Sequence, residues 1–253
     1  MTGPFPIPAA LIERLRSAQR VAVLTGAGIS AESGVPTFRD AQTGLWARYS
    51  PQELANAEAF RRNPRLVWEW YAWRQQIVRQ AMPNPGHQAL VIMEQRIATF
   101  TLITQNVDGL HRRAGSHQVL ELHGNLFRSK CLAEDRPVEG DSEDNEVPPR
   151  CPRCGGLLRP DVVWFGEMLP AAVLHAAGQA ATHAEVFFSI GTSAQVYPAA
   201  DLPLQALAAG ATVVEINPQP TPLSAVASFA LHGAAGVVLP ALIAQVWAEA
   251  SPY

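Results

Sequence analysis

Short apolar runs separated by helical patterns constrain this chain more than any other feature. The stretches "VAVLTGAG" (21–28), "IATFTLIT" (97–104), "AEVFFSIG" (184–191), "ATVVEINP" (211–218) and "GVVLP" (236–240) each read as a strand. Runs that are apolar at nearly every position belong to strands covered on both faces, which is the condition of a parallel sheet. Between them lie segments of helical periodicity, among them 8–19, "PGHQALVIMEQR" and "DLPLQALAAG". Strand alternating with helix predicts an α/β fold built on a parallel sheet. Two regions break the alternation. Residues 37–83 are aromatic-rich and helical with no strand pattern, and residues 125–159 are polar, proline-bearing and hold every cysteine. Both read as insertions that form a smaller domain, leaving 1–36, 84–124 and 160–253 to the large one.

With 253 residues, 48% of them hydrophobic and 16% charged, the chain can bury a sizeable core and is not disordered. A formal net charge of −3 gives no electropositive footprint for nucleic acid. The opening "MTGPFPIPAALIERLRSAQR" lacks a basic segment followed by an apolar one, and no apolar run is long enough for a bilayer. The expectation is a soluble, cytoplasmic protein with neither nucleic-acid nor membrane partners. In that setting the Cys-x-x-Cys pair points to metal or redox chemistry before disulfides.

The first apolar run feeds directly into "TGAGISAESG", where Gly26, Gly28 and Ala31 fit the G-x-G-x-x-G/A form that brings backbone N–H groups against a pyrophosphate. Alone the signal is weak, because small residues are common at strand-to-helix turns. The second strand with its terminal acidic residue, which would complete a dinucleotide fingerprint, is replaced by "PTFRDAQTGLW" and the helical insertion. An ordinary hydride-transferring dehydrogenase is therefore disfavoured.

Inside the insertion, "WEWYAWRQQ" (68–76) puts Tyr71 and Arg74 three residues apart, on one face of a helix. Two readings are open at this point. Both side chains can hang over the rim of an aromatic core, as amphipathic residues often do, or they can aim donors at an anion inside an apolar pocket.

Taken in chain order, "GAGISAESGVPTFRD", "TQNVDGLH", "LHGN", "VVWFGE", "GTSAQVYPAA" and "EINPQPT" resemble the motif series of the sirtuins, NAD-dependent protein lysine deacylases. The resemblance runs from residue 21 to about 240. It implies a Rossmann-type large domain with NAD lying between it and a small domain, made of the helical module 37–83 and a zinc-ribbon-like module 125–159. The implied reaction transfers the acyl group of a lysine to the ribose of NAD, yielding nicotinamide, free lysine and O-acyl-ADP-ribose.

The same resemblance assigns roles. His123 in "LELHGN" matches the catalytic base, and an imidazole with a pKa of about 6.5 suits that task. His111 is the competing histidine, better placed for a structural role. Gly26, Ala27, Gly28, Ile29 and Ser30 match the cofactor loop, and Phe38 and Arg39 its flexible continuation, the ring shielding the reactive face and the arginine reaching phosphates. Gln105 matches a ribose contact. Asn106 and Asp108 match the nicotinamide pocket, although Asp108 would also serve as a helix cap before "GLHRRAG". Gly191, Thr192, Ser193, Asn217 and Ala235 match contacts to the adenosine half at strand C-termini, where Thr192 and Ser193 can equally cap a helix. Val163, Phe165 and Gly166 of "VVWFGE" match an edge on which an acyl-lysine protein substrate lies as an extended peptide. A buried strand explains "VVWF" equally well.

Sirtuins commonly close a structural zinc site with paired Cys-x-x-Cys motifs. Here "CPRCGG" keeps Cys151 and Cys154, whereas "CLAE" keeps Cys131 and sets Glu134 at the expected fourth position. Three thiolates with a carboxylate or water would bind zinc more weakly, and a metal-free, packed loop is the alternative. Acidic "EGDSEDNE" between the halves reads as a solvated loop. Finally, "WEWYAWRQQ" resembles the Tyr-x-x-Arg segment of class III sirtuins, which favour succinyl- and malonyl-lysine over acetyl-lysine. Rival readings are a mono-ADP-ribosyltransferase, a non-catalytic ADP-ribose or NAD module, and a zinc-ribbon nucleic-acid binder. The joint presence of His123, Asn106 and Asp108 argues against the non-catalytic module, and the charge balance argues against the nucleic-acid binder.

Overall fold

The computed structural model describes residues 5–37, 49–138 and 146–247. Helix α1 (Ala9–Ser17) leads into β1 (Arg20–Thr25) and the short α2 (Gly28–Ala31). The helices α3 (Pro51–Leu54), α4 (Ala57–Arg62) and α5 (Pro64–Gln80) follow, then α6 (Pro85–Arg96), β2 (Thr99–Thr104), α7 (Leu110–Ala114) and β3 (Val119–Glu121). The next strands are β4 (Gly124–Cys131), β5 (Pro137–Val138) and β6 (Leu158–Val162). The chain ends with α8 (Ala171–His183), β7 (Val186–Ile190), α9 (Leu202–Ala208), β8 (Thr212–Asn217), β9 (Phe229–His232) and α10 (Ala235–Val246).

Six strands form a parallel sheet in the order β3-β2-β1-β7-β8-β9. Strand periodicity sorts its side chains cleanly between two layers. Val21 and Val23 of β1 face Leu11, Leu15, Leu90, Met93 and Leu239, from α1, α6 and α10. Ala22 and Leu24 face Ala177, Ala181, Leu202 and Ala206, from α8 and α9. Helices on both faces explain why β1 and β7 are apolar without alternation. This is a Rossmann-type sheet. Among the described residues no helix is long and apolar enough to cross a membrane.

A second, antiparallel sheet has the order β5-β4-β6. Beside it α4 and α5 build a separate apolar cluster with Phe60, Val67, Trp70 and Tyr71, shared with Val162 and Trp164. Asn63 starts α5 by accepting the Leu66 N–H at 3.1 Å, ahead of a proline in the first helical turn, where its missing N–H costs nothing.

One strand expectation fails. "GVVLP" lies in α10, and the sixth strand of the sheet is β9, formed by Phe229–His232. A short apolar run looks the same in a buried helix and a buried strand. The helical spacing becomes visible only when Val238, Leu239, Leu242, Ile243 and Val246 are read together, and Pro240 sits inside the helix instead of ending a strand.

Candidate active site

Chain connections run outward from β1 in both directions, through β2 and β3 on one side and β7, β8 and β9 on the other. The reversal falls between β1 and β7, and open parallel sheets bind ligands at the strand C-termini beside such a point. Here that crevice is bordered by the loops starting at Gly26 and Gly191. The two loops touch backbone to backbone: Gly26 N–H donates to Ile190 O and Gly28 N–H to Gly191 O, both at 2.9 Å. A Cβ on Gly191 would lie 2.4 Å from the Ile29 nitrogen, and its φ of +60° already disfavours any other residue. The glycines thus let the two loops knit together, a demand made by packing itself.

Across the crevice floor runs a buried polar network. Ser30 Oγ donates to Asp108 Oδ2 at 2.8 Å, and Asn106 Nδ2 donates to Gly26 O and to Ser30 Oγ, each at 3.1 Å. Asp108 Oδ1 also accepts the Leu110 N–H at 2.8 Å, so the capping geometry is present together with the tie to Ser30. Burial pushes the Asp108 carboxyl above the usual carboxylate range, against the Leu110 N–H, the Ser30 hydroxyl and the charge of Arg74. His111 is buried, with Nε2 2.9 Å from Thr25 Oγ1, in keeping with a structural post. Sequence reading passed over His87, whose ring lies 4.9 Å from that of His111 at a tilt of 54° and whose Nε2 lies 3.5 Å from Ser30 Oγ.

His123 follows β3 at the rim of the crevice, half-buried. Its Nδ1 is 2.9 Å from the carbonyl oxygen of Gln105, an acceptor, so Nδ1 carries the proton and the neutral ring keeps its lone pair on Nε2. Burial holds the imidazole below its usual value, opposed by that carbonyl. The ring is therefore a neutral base at neutral pH. Gly124 makes the neighbouring contact possible, because any Cβ there would lie 2.0 Å from Asp161 O, between β4 and β6. Val163 N–H in turn donates to the His123 carbonyl at 2.9 Å, which ties the segment after β6 to the base. Phe165 is 49% exposed and bridges in parallel to Asn56, and Gly166 turns the chain at φ +87°.

In the loop after β7, Thr192 Oγ1 accepts the Ala194 N–H at 3.1 Å, and Asn217 Nδ2 holds the Thr192 carbonyl at 3.1 Å. Thr192 is thus committed to shaping its own turn. Ser193 lies in the same turn, and Ala235 is buried at the start of α10. Phe38 and Arg39 lie outside the described residues.

Tyr71 is only 4% exposed, inside the core and not over its rim, and its hydroxyl accepts the Trp164 Nε1–H at 2.9 Å. Burial pushes its pKa up to about 12, against the pull of Arg74, so it is a neutral donor at any working pH. Arg74, one turn on, is half-buried with its guanidinium 5.0 Å over the Trp70 ring. Burial lowers its pKa against the opposing influence of Tyr71 and Asp108. An arginine remains charged under such shifts.

In the small sheet, the sulfurs of Cys131, Cys151 and Cys154 lie within 4.8 Å of one another, and the Cys131–Cys154 pair is 3.5 Å apart. A tetrahedral site with zinc–sulfur bonds of ~2.3 Å separates its sulfurs by about 3.8 Å, so the donor set fits zinc. Glu134 does not join it: its carboxylate pairs with Arg153 at 2.9 Å, and a guanidinium that holds both position and charge leaves little for a metal.

These loops border a crevice at the sheet's reversal point, with the His123 imidazole held beside it by Gln105. The Sir2 family model matches residues 26–198. NAD-dependent protein deacylase 2 of Pyrobaculum aerophilum is 52% identical over 238 residues, covering 92% of this chain and 93% of that protein. A solved Sir2 homolog–NAD complex aligns with a TM-score of 0.90 at 45% identity, covering 99% of this chain and 98% of that one. A Sir2–p53 peptide–NAD+ complex aligns with a TM-score of 0.83 at 31% identity, covering 94% and 97%. The chain belongs to the Sir2 family.

Proposed function

We propose that the protein removes acyl groups from lysine side chains of peptides in an NAD-dependent reaction, and that it favours acyl chains ending in a carboxylate. The observation that carries the deacylase reading is the His123 hydrogen bond to Gln105, which leaves Nε2 as a free base at the mouth of the Gly26–Gly191 crevice. The glycine-rich loops that follow β1 and β7 at the sheet's reversal point sit where a dinucleotide binds an open parallel sheet. Bound there, NAD would supply a ribose carbon from which nicotinamide departs and a hydroxyl that receives the acyl group. Asn106 and Asp108, fixed through Ser30, would orient the carboxamide. His123 Nε2 would take the proton from the ribose hydroxyl. Val163, Phe165 and Gly166 would pair with an extended peptide, an arrangement that reads little sequence.

Tyr71 and Arg74 support the finer reading. An acyl carboxylate cannot enter an apolar pocket unpaired without a large desolvation penalty, and here a neutral hydroxyl and a guanidinium stand side by side. Cys131, Cys151 and Cys154 would hold a structural zinc away from the chemistry.

The test is mass spectrometry of products from NAD with acetyl- and succinyl-lysine peptides. Nicotinamide and O-acyl-ADP-ribose should appear one-for-one with deacylated peptide. Deacylation that runs equally well without NAD removes the proposal, and ADP-ribose left on the peptide replaces it with ADP-ribosyl transfer.

A further inference from the structure

Behind Tyr71 lies a chain of contacts that neither cofactor nor base requires. Arg159 of β6 is 4% exposed and grips the Glu167 carboxylate with both terminal nitrogens, at 2.5 and 2.9 Å. The same guanidinium donates to Val162 O at 2.8 Å and lies 3.3 Å from the centre of the Trp164 ring. Glu167 closes the loop by accepting the Trp164 N–H at 2.9 Å, while its own N–H donates to Trp164 O at 3.0 Å. Trp164 is therefore held by its backbone on both sides and by a cation on its face. A buried arginine is an expensive residue to keep, and here its partners all converge on the placement of one indole.

The indole N–H is a donor only, whereas a phenol has one proton to give and accepts through its lone pairs. Because Trp164 Nε1 donates to Tyr71, the tyrosine oxygen is an acceptor in that contact and its proton must be given in another direction. Arg74, the neighbouring charged group on the same helix face, has no acceptor to offer.

We infer that Trp164 is a positioning residue for acyl selection: held by the Arg159–Glu167 clamp, its indole N–H takes the acceptor side of the Tyr71 hydroxyl and turns the hydroxyl proton toward the acyl carboxylate beside Arg74. This rests on the reading of Tyr71 and Arg74 as carboxylate readers given above. The phenol's high pKa keeps that proton in place throughout the working range.

The experiment compares kcat/KM for succinyl-lysine and acetyl-lysine peptides at one NAD concentration, in wild type, Trp164→Phe, Tyr71→Phe, the double variant and Arg74→Met. Phenylalanine keeps a ring under Arg159 and removes the N–H donor; the cavity left by the lost part of the indole, which is 1% exposed, acts on both substrates and cancels in their ratio. The succinyl-to-acetyl ratio should fall about 3- to 10-fold in Trp164→Phe, the scale of a misdirected hydrogen bond to a charge. In a Tyr71→Phe background the same change should have no further effect on the ratio. Equal slowing of both substrates by Trp164→Phe, or full additivity with Tyr71→Phe, overturns the inference. Should Trp164→Phe not fold, Glu167→Gln loosens the clamp and carries the same expectation at about 2- to 3-fold; an unchanged ratio there also overturns it. If Tyr71→Phe and Arg74→Met leave the ratio untouched, the carboxylate reading itself fails. If those two alter it and Trp164→Phe does not, only the role of Trp164 is lost.

Discussion

The imidazole rings of His87 and His111 stand 4.9 Å apart, centroid to centroid, both buried against Thr25 and Ser30. Burial lowers the His87 pKa to about 4 and takes that of His111 well below its ordinary value, the neighbouring His87 adding to the effect. A depressed histidine is neutral in the folded state and protonated on unfolding. The unfolded chain therefore binds more protons, and stability falls as pH drops from about 6.5 toward 4, below which His87 contributes no further loss. For His87 alone the loss is on the order of 3 kcal/mol. Asp108, with its raised carboxyl, works in the opposite direction. Denaturation midpoints measured from pH 8 to 4 on wild type and His87→Gln isolate the term: the wild-type curve should fall more steeply. Parallel curves would rule out the titration of His87 as the cause.

Replacing His123 by alanine should lower kcat by about 10²–10⁴-fold while the fold and NAD binding survive, since a general base contributes that much. In the wild type, kcat/KM should hold its plateau down past the ordinary imidazole range, because burial keeps the ring neutral. A variant that retains more than about a tenth of wild-type kcat would take His123 out of the base role.

Arg74→Met should reduce kcat/KM for succinyl-lysine peptides by about 10-fold or more, the worth of a hydrogen bond to a charge, and change acetyl-lysine turnover far less. Steady-state kinetics on both peptides decide it. A uniform loss would return Arg74 to a packing role over Trp70.

Gly191→Ala should destabilise the protein by roughly 2 kcal/mol or more. The left-handed backbone alone costs about 1–2 kcal/mol, and the added carbon would press on Ile29 N at 2.4 Å. NAD affinity should weaken with it. Thermal melts and calorimetric titration provide the check, and a wild-type melting point with wild-type affinity would refute the close contact of the two loops.

About one zinc per chain is expected on elemental analysis, bound by Cys131, Cys151 and Cys154. Cys131→Ser should lose it, whereas Glu134→Ala should keep it, because the carboxylate serves Arg153. A tenfold or greater fall in zinc affinity in Glu134→Ala would make Glu134 a ligand after all.

The sheet was legible because its strands are apolar on both faces, and the crevice because glycines mark the loops on either side of the reversal point. "GVVLP" misled because five apolar residues carry no period, and "CLAE" left the fourth position open because spacing says where a side chain starts and not which charge captures it. Arg153, nineteen residues along the chain, captures Glu134. The Arg159–Glu167 clamp had a trace in the sequence, a lone arginine inside the apolar "GLLRPDVVW". Only the fold shows that it closes over an indole.

Trp70, Tyr71, Leu110, Leu126, Val162 and Trp164 share one apolar cluster. Helix α5, the segment entering α7 and the end of β6 are therefore set by the same packing, so the acyl preference proposed for Tyr71 and Arg74 would not be portable as a two-letter motif. Transplanting Tyr71 and Arg74 into a scaffold with a different residue opposite the phenol would carry over the charge and lose its aim. The unit an engineer would have to move is the helix together with the indole it leans on.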